Sequence, residues 1–212
     1  LNFKKLSKVD VLINCAGIYG PKGLFQNQNW QNWKDVIRIN LLGSIYIIKK
    51  ILPYFTKKNK GKIIQFAGGG AASPFPFFTA YSASKVGLVR FVENISLELK
   101  NKNIQINCIA PGPVNTRMLD EVLAAGPANV GKSFYEKSIK QKRDGGTDIK
   151  KINELVYYLI NKDSKNLSGK LISAQWDNWK NFKKRIDEIN KSDLGTIRRI
   201  VGRDRKMNFF DL

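Results

Sequence analysis

Lys62-Ile63-Ile64-Gln65-Phe66 gives way to Ala67-Gly68-Gly69-Gly70, and a helical pattern then opens on Tyr81-Ser82-Ala83-Ser84-Lys85. A short apolar run, a glycine-rich turn and an apolar-periodic helix form a strand–loop–helix unit, and this unit decides the fold. The helix runs to Lys100 with Val86, Val89, Val92, Leu97 and Leu99 as its apolar positions. A further strand follows at Ile104-Gln105-Ile106-Asn107-Cys108-Ile109 and is stopped by Pro111-Gly112-Pro113. Strand, helix, strand of this kind implies a right-handed crossover between parallel strands. Tyr81 and Lys85, at i and i+4, share one face of the helix. A cation held there favours the phenolate and draws the tyrosine pKa down from about 10 toward neutrality. Such a phenol can pass a proton to or from a carbonyl/alcohol couple. The same spacing arises on any helix start that carries the two residues, so the neighbouring motifs have to decide.

Working outward, Val9-Asp10-Val11-Leu12-Ile13 reads as a buried strand ending in Asn14-Cys15-Ala16-Gly17. From about Trp30 to Lys57 the apolar residues Val36, Ile37, Leu41, Ile45, Ile48, Ile51 and Leu52 recur at helical spacing, which predicts one long helix. Downstream of Pro113 the sequence reads as irregular and turn-rich. A helix over Asp148–Asn161 and a strand over Leu167–Ser173 come next. The alternation predicts an α/β protein with a parallel sheet covered on both faces. Beyond Ala174 the pattern turns aromatic and charged, giving a domain over 1–173 and a C-terminal extension over 174–212 that covers a cleft or a partner subunit. Trp30, Trp33, Trp176 and Trp179 read as half-buried anchors for helix ends and tail.

The composition removes several chemistries. With no histidine, Ser-His-Asp catalysis, His-ligated metals and His proton shuttles are excluded. Cys15 and Cys108 are too few for a zinc site or disulfide framework, so no metal is expected and a reducing cytoplasm is the default. No apolar run is long enough to span a bilayer, and Leu1-Asn2-Phe3-Lys4-Lys5 lacks a signal-peptide core. The net charge of +20 is spread over nearly every polar position. Even the densest segment, Lys180 to Lys206, is interleaved with Asp187, Glu188, Asp193 and Asp204, which argues for a solvated surface rather than a specific nucleic-acid stripe. Gly126-Pro127-Ala128-Asn129-Val130-Gly131-Lys132-Ser133 matches a phosphate-binding loop letter for letter, but that motif works only after a buried strand, and Met118–Ala125 reads as helix.

Four motifs agree in order and spacing with one family. Asn14-Cys15-Ala16-Gly17 resembles an Asn-Asn-Ala-Gly motif; Asn40 sits where that family keeps an asparagine; Tyr81 and Lys85 match a Tyr-x3-Lys pair; and Pro111-Gly112-Pro113-Val114-Asn115-Thr116 resembles Pro-Gly-x-Val-x-Thr. From Asp10 to Ser173 the chain resembles the short-chain dehydrogenase/reductases, NAD(P)-dependent oxidoreductases. The resemblance implies a Rossmann-like, doubly wound sheet in three α/β/α layers. It further implies NAD or NADP as cofactor and interconversion of an alcohol and a carbonyl. A sugar or other polar hydroxy compound is the expected substrate. It assigns Tyr81 as general acid/base and Lys85 as its tuner and a ligand of the nicotinamide ribose. Asn40 would hold a relay water, Asn14, Ala16 and Gly17 the floor of the cofactor site, and Pro111, Gly112, Val114 and Thr116 a stretch along the cofactor. It also implies a homo-oligomer, dimer or tetramer, packed through the helices over 30–57 and 81–100.

Two departures stand out. The family's catalytic serine would fall at Ala67 or Gly68, neither of which has a hydroxyl; Ser73 is the nearest candidate. The family's Thr-Gly-x3-Gly-x-Gly turn is absent from this sequence, together with the first strands and helices that would surround it. The expectation is therefore an N-terminally truncated fragment with half a cofactor site and an exposed edge at Val9–Ile13. A truncated, non-catalytic dehydrogenase acting only in subunit association is the alternative.

Overall fold

The computed structural model describes residues 8–207, so the outer ends of both expected segments, 1–7 and 208–212, lie outside the described residues. β1 (Val11–Asn14), β2 (Gly61–Phe66), β3 (Ile104–Ala110) and β4 (Leu171–Ser173) form one parallel sheet in that order. Asn14 pairs in register with Gln65, Gln65 with Cys108 and Cys108 with Leu171, so the carboxyl ends of the strands lie level.

The predicted long helix is present in three parts: α1 (Trp30–Val36), a π-helical stretch over Ile37–Gly43, and α2 (Ser44–Lys58). Asn29 caps its start by accepting from the Asn32 N–H at 2.9 Å, and Asn59 closes it in the left-handed conformation. The wider π turn loosens the backbone ladder, and Ser44 Oγ donates to the Asn40 carbonyl at 2.7 Å. α3 (Thr79–Glu98) carries Tyr81 in its first turn, and α6 (Ile149–Ile160) starts on an Asp148 cap.

Residues alternate across the strands. Ile63, Ile106 and Cys108 enter one core with Ile48, Ile51 and Phe55 of α2 and Val89 and Val92 of α3. Ile64, Ile109 and Ile172 enter the other with Ile152, Leu155 and Leu159 of α6 and with Trp179 and Ile189. The sheet is buried on both faces, the expected three-layer arrangement.

Two sequence readings are corrected. The stretch after Pro113 is not irregular but holds α4 (Arg117–Val130) and α5 (Lys132–Asp144). Gly126 (φ 74°) and Pro127 kink α4, and Gly131 (φ 82°) parts it from α5, so the residues that read as turns are a kink and a junction. The Gly126–Ser133 motif therefore lies between two helices, without the strand that phosphate binding would need. The last strand is shorter than Leu167–Ser173, because Gly169 adopts φ 76° just ahead of it.

The tail turns through Trp179–Arg185 and α7 (Ile186–Lys191), then runs past β4, where the Gly195 carbonyl accepts from Leu171 N–H at 2.7 Å. At the opposite edge β1 pairs with β2 alone among the described residues, and Ile13 is 44% exposed. Among the described residues no helix is long and apolar enough to cross a membrane.

Candidate active site

The carboxyl ends of β1, β2 and β3 and the start of α3 converge on one locus. Asn14, last in β1, donates to Ser44 Oγ and to Gln65 Oε1, both at 2.9 Å, while its Oδ1 accepts from Ala16 N–H at 3.2 Å. This turns the loop back over the sheet end. Asn40 then grips the next residue from both sides. Its Oδ1 accepts from Ile18 N–H at 2.8 Å, and its Nδ2 donates to the Ile18 carbonyl at 2.9 Å and to Ser84 Oγ at 3.1 Å. Gly17 is thereby pressed against α3: a Cβ there would stand 3.3 Å from Lys85 Nζ and 3.4 Å from Asn40 Oδ1. Asn40 is fully buried, with its amide committed to Ile18 and Ser84 and its carbonyl to Ser44. What the geometry displays for Asn40 is a clamp on the loop.

Lys85 is buried, donates to the Phe66 carbonyl at 2.8 Å, and has its Nζ 5.6 Å from the Tyr81 ring centroid. Burial lowers its pKa from 10.5 to about 8. Tyr81 differs from expectation: its pKa is raised, chiefly by burial and secondly by neighbouring Tyr19. Desolvation of the phenol is the largest cause, and the neighbouring lysine does not offset it. The raised pKa favours the protonated phenol over the phenolate.

Position 68 faces the phenol directly, since a Cβ on Gly68 would lie 2.3 Å from Tyr81 Oη, whereas Ala67 is buried in the first core. Of the two positions where the resemblance leads one to expect a serine, 68 is the one beside the phenol. Ser73 is exposed and lines a cavity of about 520 Å³ with Ser82, Val86 and Thr196 of the tail, a cavity whose lining does not include Tyr81. Pro111–Thr116 leaves the end of β3. Gly112 needs its freedom there, with φ 83° and a Cβ position 2.3 Å from Thr147 Oγ1. Thr147 N–H donates to the Pro113 carbonyl at 2.6 Å, Val114 packs on the second core, and Thr116 precedes the first turn of α4 without a side-chain cap bond.

An aromatic wall around Tyr81 went unread in the sequence. The Tyr19 ring meets Tyr81 edge-on at 4.7 Å and tilts against Phe78 at 5.1 Å. Phe75 stacks on Phe78 at 4.3 Å, and Phe134 of α5 meets them at 5.0 and 5.5 Å. The available signal was Phe75-Pro76-Phe77-Phe78 just ahead of the tyrosine and Tyr19 just beyond Gly17.

Comparison with known proteins agrees with this geometry. Residues 2–126 match the family model described as short chain dehydrogenase. The 3-oxoacyl-[acyl-carrier-protein] reductase FabG of Buchnera aphidicola subsp. Baizongia pistaciae is 35% identical over 170 residues, covering 80% of this chain and 66% of that protein. An actinorhodin polyketide ketoreductase with NADPH superimposes with a TM-score of 0.69 at 26% identity, covering 78% of this chain and 65% of that one. NAD+-bound xylitol dehydrogenase gives a TM-score of 0.68 at 27% identity, covering 78% and 67%. The chain spans 66%, 65% and 57% of the length of the first three curated relatives it matches. With Tyr81 and Lys85 on one buried helix face, Gly17 beneath them and this match over more than half its length, the chain belongs to the short-chain dehydrogenase family.

Proposed function

We propose that the protein reduces a carbonyl to an alcohol with NADH or NADPH, Tyr81 delivering the proton and Lys85 stabilising the phenolate left behind. The observation that carries this reading is the buried Tyr81 side chain on the same helix face as a buried lysine, whose Nζ lies 5.6 Å from the Tyr81 ring centroid. The nicotinamide end of the cofactor fits the residues present. Gly17 keeps a side chain away from Lys85 Nζ, since a Cβ there would stand 3.3 Å from it, and Pro111–Thr116 leaves the end of β3. Bound there, the reduced nicotinamide supplies the hydride. Tyr81 Oη gives its proton to the substrate oxygen as the alcohol forms, and the Lys85 charge opposes the cost of the new phenolate. The aromatic wall excludes water from this exchange and favours a carbonyl on an apolar chain, such as a 3-oxoacyl thioester, over a sugar.

Turnover tests it: the intact protein should oxidise NADH or NADPH in the presence of acetoacetyl-coenzyme A, and no oxidation with either cofactor would sink the reading. Gly68→Ala should push Tyr81 Oη out of line and lower kcat by roughly 10²-fold with cofactor affinity kept, since misplacement of about 1 Å can cost that much. Steady-state kinetics with a fluorescence cofactor titration would check it.

We also propose a homo-oligomer through α1–α2 and α3. Ile39, Leu42 and Tyr46 form an exposed apolar stripe, with Leu97 exposed on α3. Leu42→Glu should dissociate it, read as a fall in mass by sedimentation; an unchanged mass would place the interface elsewhere. A cytoplasmic setting suits the exposed free thiol of Cys15.

A further inference from the structure

We infer that Tyr19 supplies the second hydroxyl of the site, donating a hydrogen bond to the same substrate oxygen that Tyr81 protonates. The inference rests on the proposed carbonyl reduction and names the group that replaces the missing serine. Gly68 offers no hydroxyl, and the other hydroxyls near Tyr81 are committed or aimed elsewhere. Ser84 Oγ donates to the Tyr81 carbonyl at 2.7 Å and accepts from Asn40. Thr79 Oγ1 donates to Gln28 and accepts from Trp33, each at 3.1 Å. Ser82 Oγ points at Gly70, where a Cβ would lie 2.3 Å away, and Ser73 is exposed.

Tyr19 remains, and its place is firmly set. Ile18 before it is held at both backbone groups by Asn40. Gly20 after it has φ 71° and lies so tightly on Val36 that a Cβ would approach Val36 Cγ2 to 2.0 Å. Lys22 Nζ sits 5.7 Å from the Tyr19 ring centroid and 3.4 Å from Glu121, fixing the far side. Neither the Tyr19 nor the Tyr81 hydroxyl hydrogen-bonds to another described residue, and neither oxygen is sealed from solvent, so both are free to meet a substrate. Burial, with Glu121 nearby, raises the Tyr19 pKa, so Tyr19 keeps its proton at neutral pH. With the two rings in edge contact at 4.7 Å, a substrate oxygen that receives both hydroxyls has the charge developing on it stabilised, as oxyanion-hole donors do.

The experiment compares Tyr19→Phe and Tyr19→Leu with the unaltered intact protein. It follows reduction of acetoacetyl-coenzyme A and of 1-phenyl-1,2-propanedione, with Tyr81→Phe as reference. Tyr19→Phe keeps the ring and loses only the hydroxyl. It should lower kcat by about 10²-fold, the usual effect of removing one such donor. KM, cofactor affinity and the unfolding midpoint should stay in place, and Tyr19→Leu should lose no less activity. Full activity in Tyr19→Phe, with loss only in Tyr19→Leu, overturns the inference and leaves Tyr19 a packing residue. Failure of the unaltered protein to reduce either carbonyl, or full turnover in Tyr81→Phe, overturns the underlying reaction and the inference with it.

Discussion

Tyr81→Phe should lower carbonyl reduction by about 10²–10⁴-fold, the range supplied by a positioned acid or base. The substitution removes one oxygen and keeps the ring that packs against Tyr19 and Phe78. Because Tyr81 Oη has no hydrogen-bond partner among the described residues, its loss leaves no protein group unpaired, and stability should hold within about 0.5 kcal/mol. Gly17 and Pro111–Thr116 are untouched, so NADH or NADPH should bind as before. The separation is diagnostic: a rate effect without a binding or folding effect marks a proton donor, whereas parallel losses would mark a packing residue. Steady-state rates, fluorescence titration with the cofactor and urea unfolding together check it. Turnover retained at the original rate would refute the role given to Tyr81.

Lys85→Met should abolish turnover and make the protein more stable at neutral pH. Lys85 is only 3% exposed, and its folded-state pKa of about 8 lies below the ordinary 10.5. Between those values the unfolded chain binds more protons than the folded one, so stability rises with pH across that window. Below pH 8 the folded state carries the full penalty of a buried ammonium, about 3 kcal/mol at about 1.4 kcal/mol per pKa unit. Methionine has similar reach and no charge. It forfeits the hydrogen bond to the Phe66 carbonyl, which costs about 1 kcal/mol, leaving a net gain of about 2 kcal/mol. Urea unfolding at neutral pH should show that gain, and it should shrink as pH climbs toward 10.5. A destabilised variant would mean that Lys85 holds the fold together rather than being held in place for function.

Much of this architecture was legible in the sequence because it is written in periodicity. Ile63–Ile64 and Cys108–Ile109 are apolar at successive positions, as a strand buried on both faces requires, and both fall in the sheet. The spacing of Tyr81 and Lys85 translates directly into a shared helix face. The segment from 117 to 144 was not legible, since Gly126, Pro127 and Gly131 speak locally for turns while packing of Val122, Val130 and Phe134 onto Phe78 decides for helices. The sign of the Tyr81 pKa was hidden for a similar reason. Spacing reveals that Lys85 is near, but burial of the phenol depends also on Tyr19 and Phe134 of α5, which arrive from distant parts of the chain. The use of Asn40 as a clamp on Ile18 follows from a tertiary approach that no local pattern announces.

The most direct measurement is the pH dependence of kcat for acetoacetyl-coenzyme A reduction by the intact protein. Tyr81 remains protonated throughout the working range, so the limiting event is loss of the Lys85 charge as pH rises through about 8. The account predicts a level rate below that point and a falling limb above it. A rate that stays level or climbs as pH passes from 8 to 10.5 would contradict the assignment of Tyr81 and Lys85 as one proton-transfer unit.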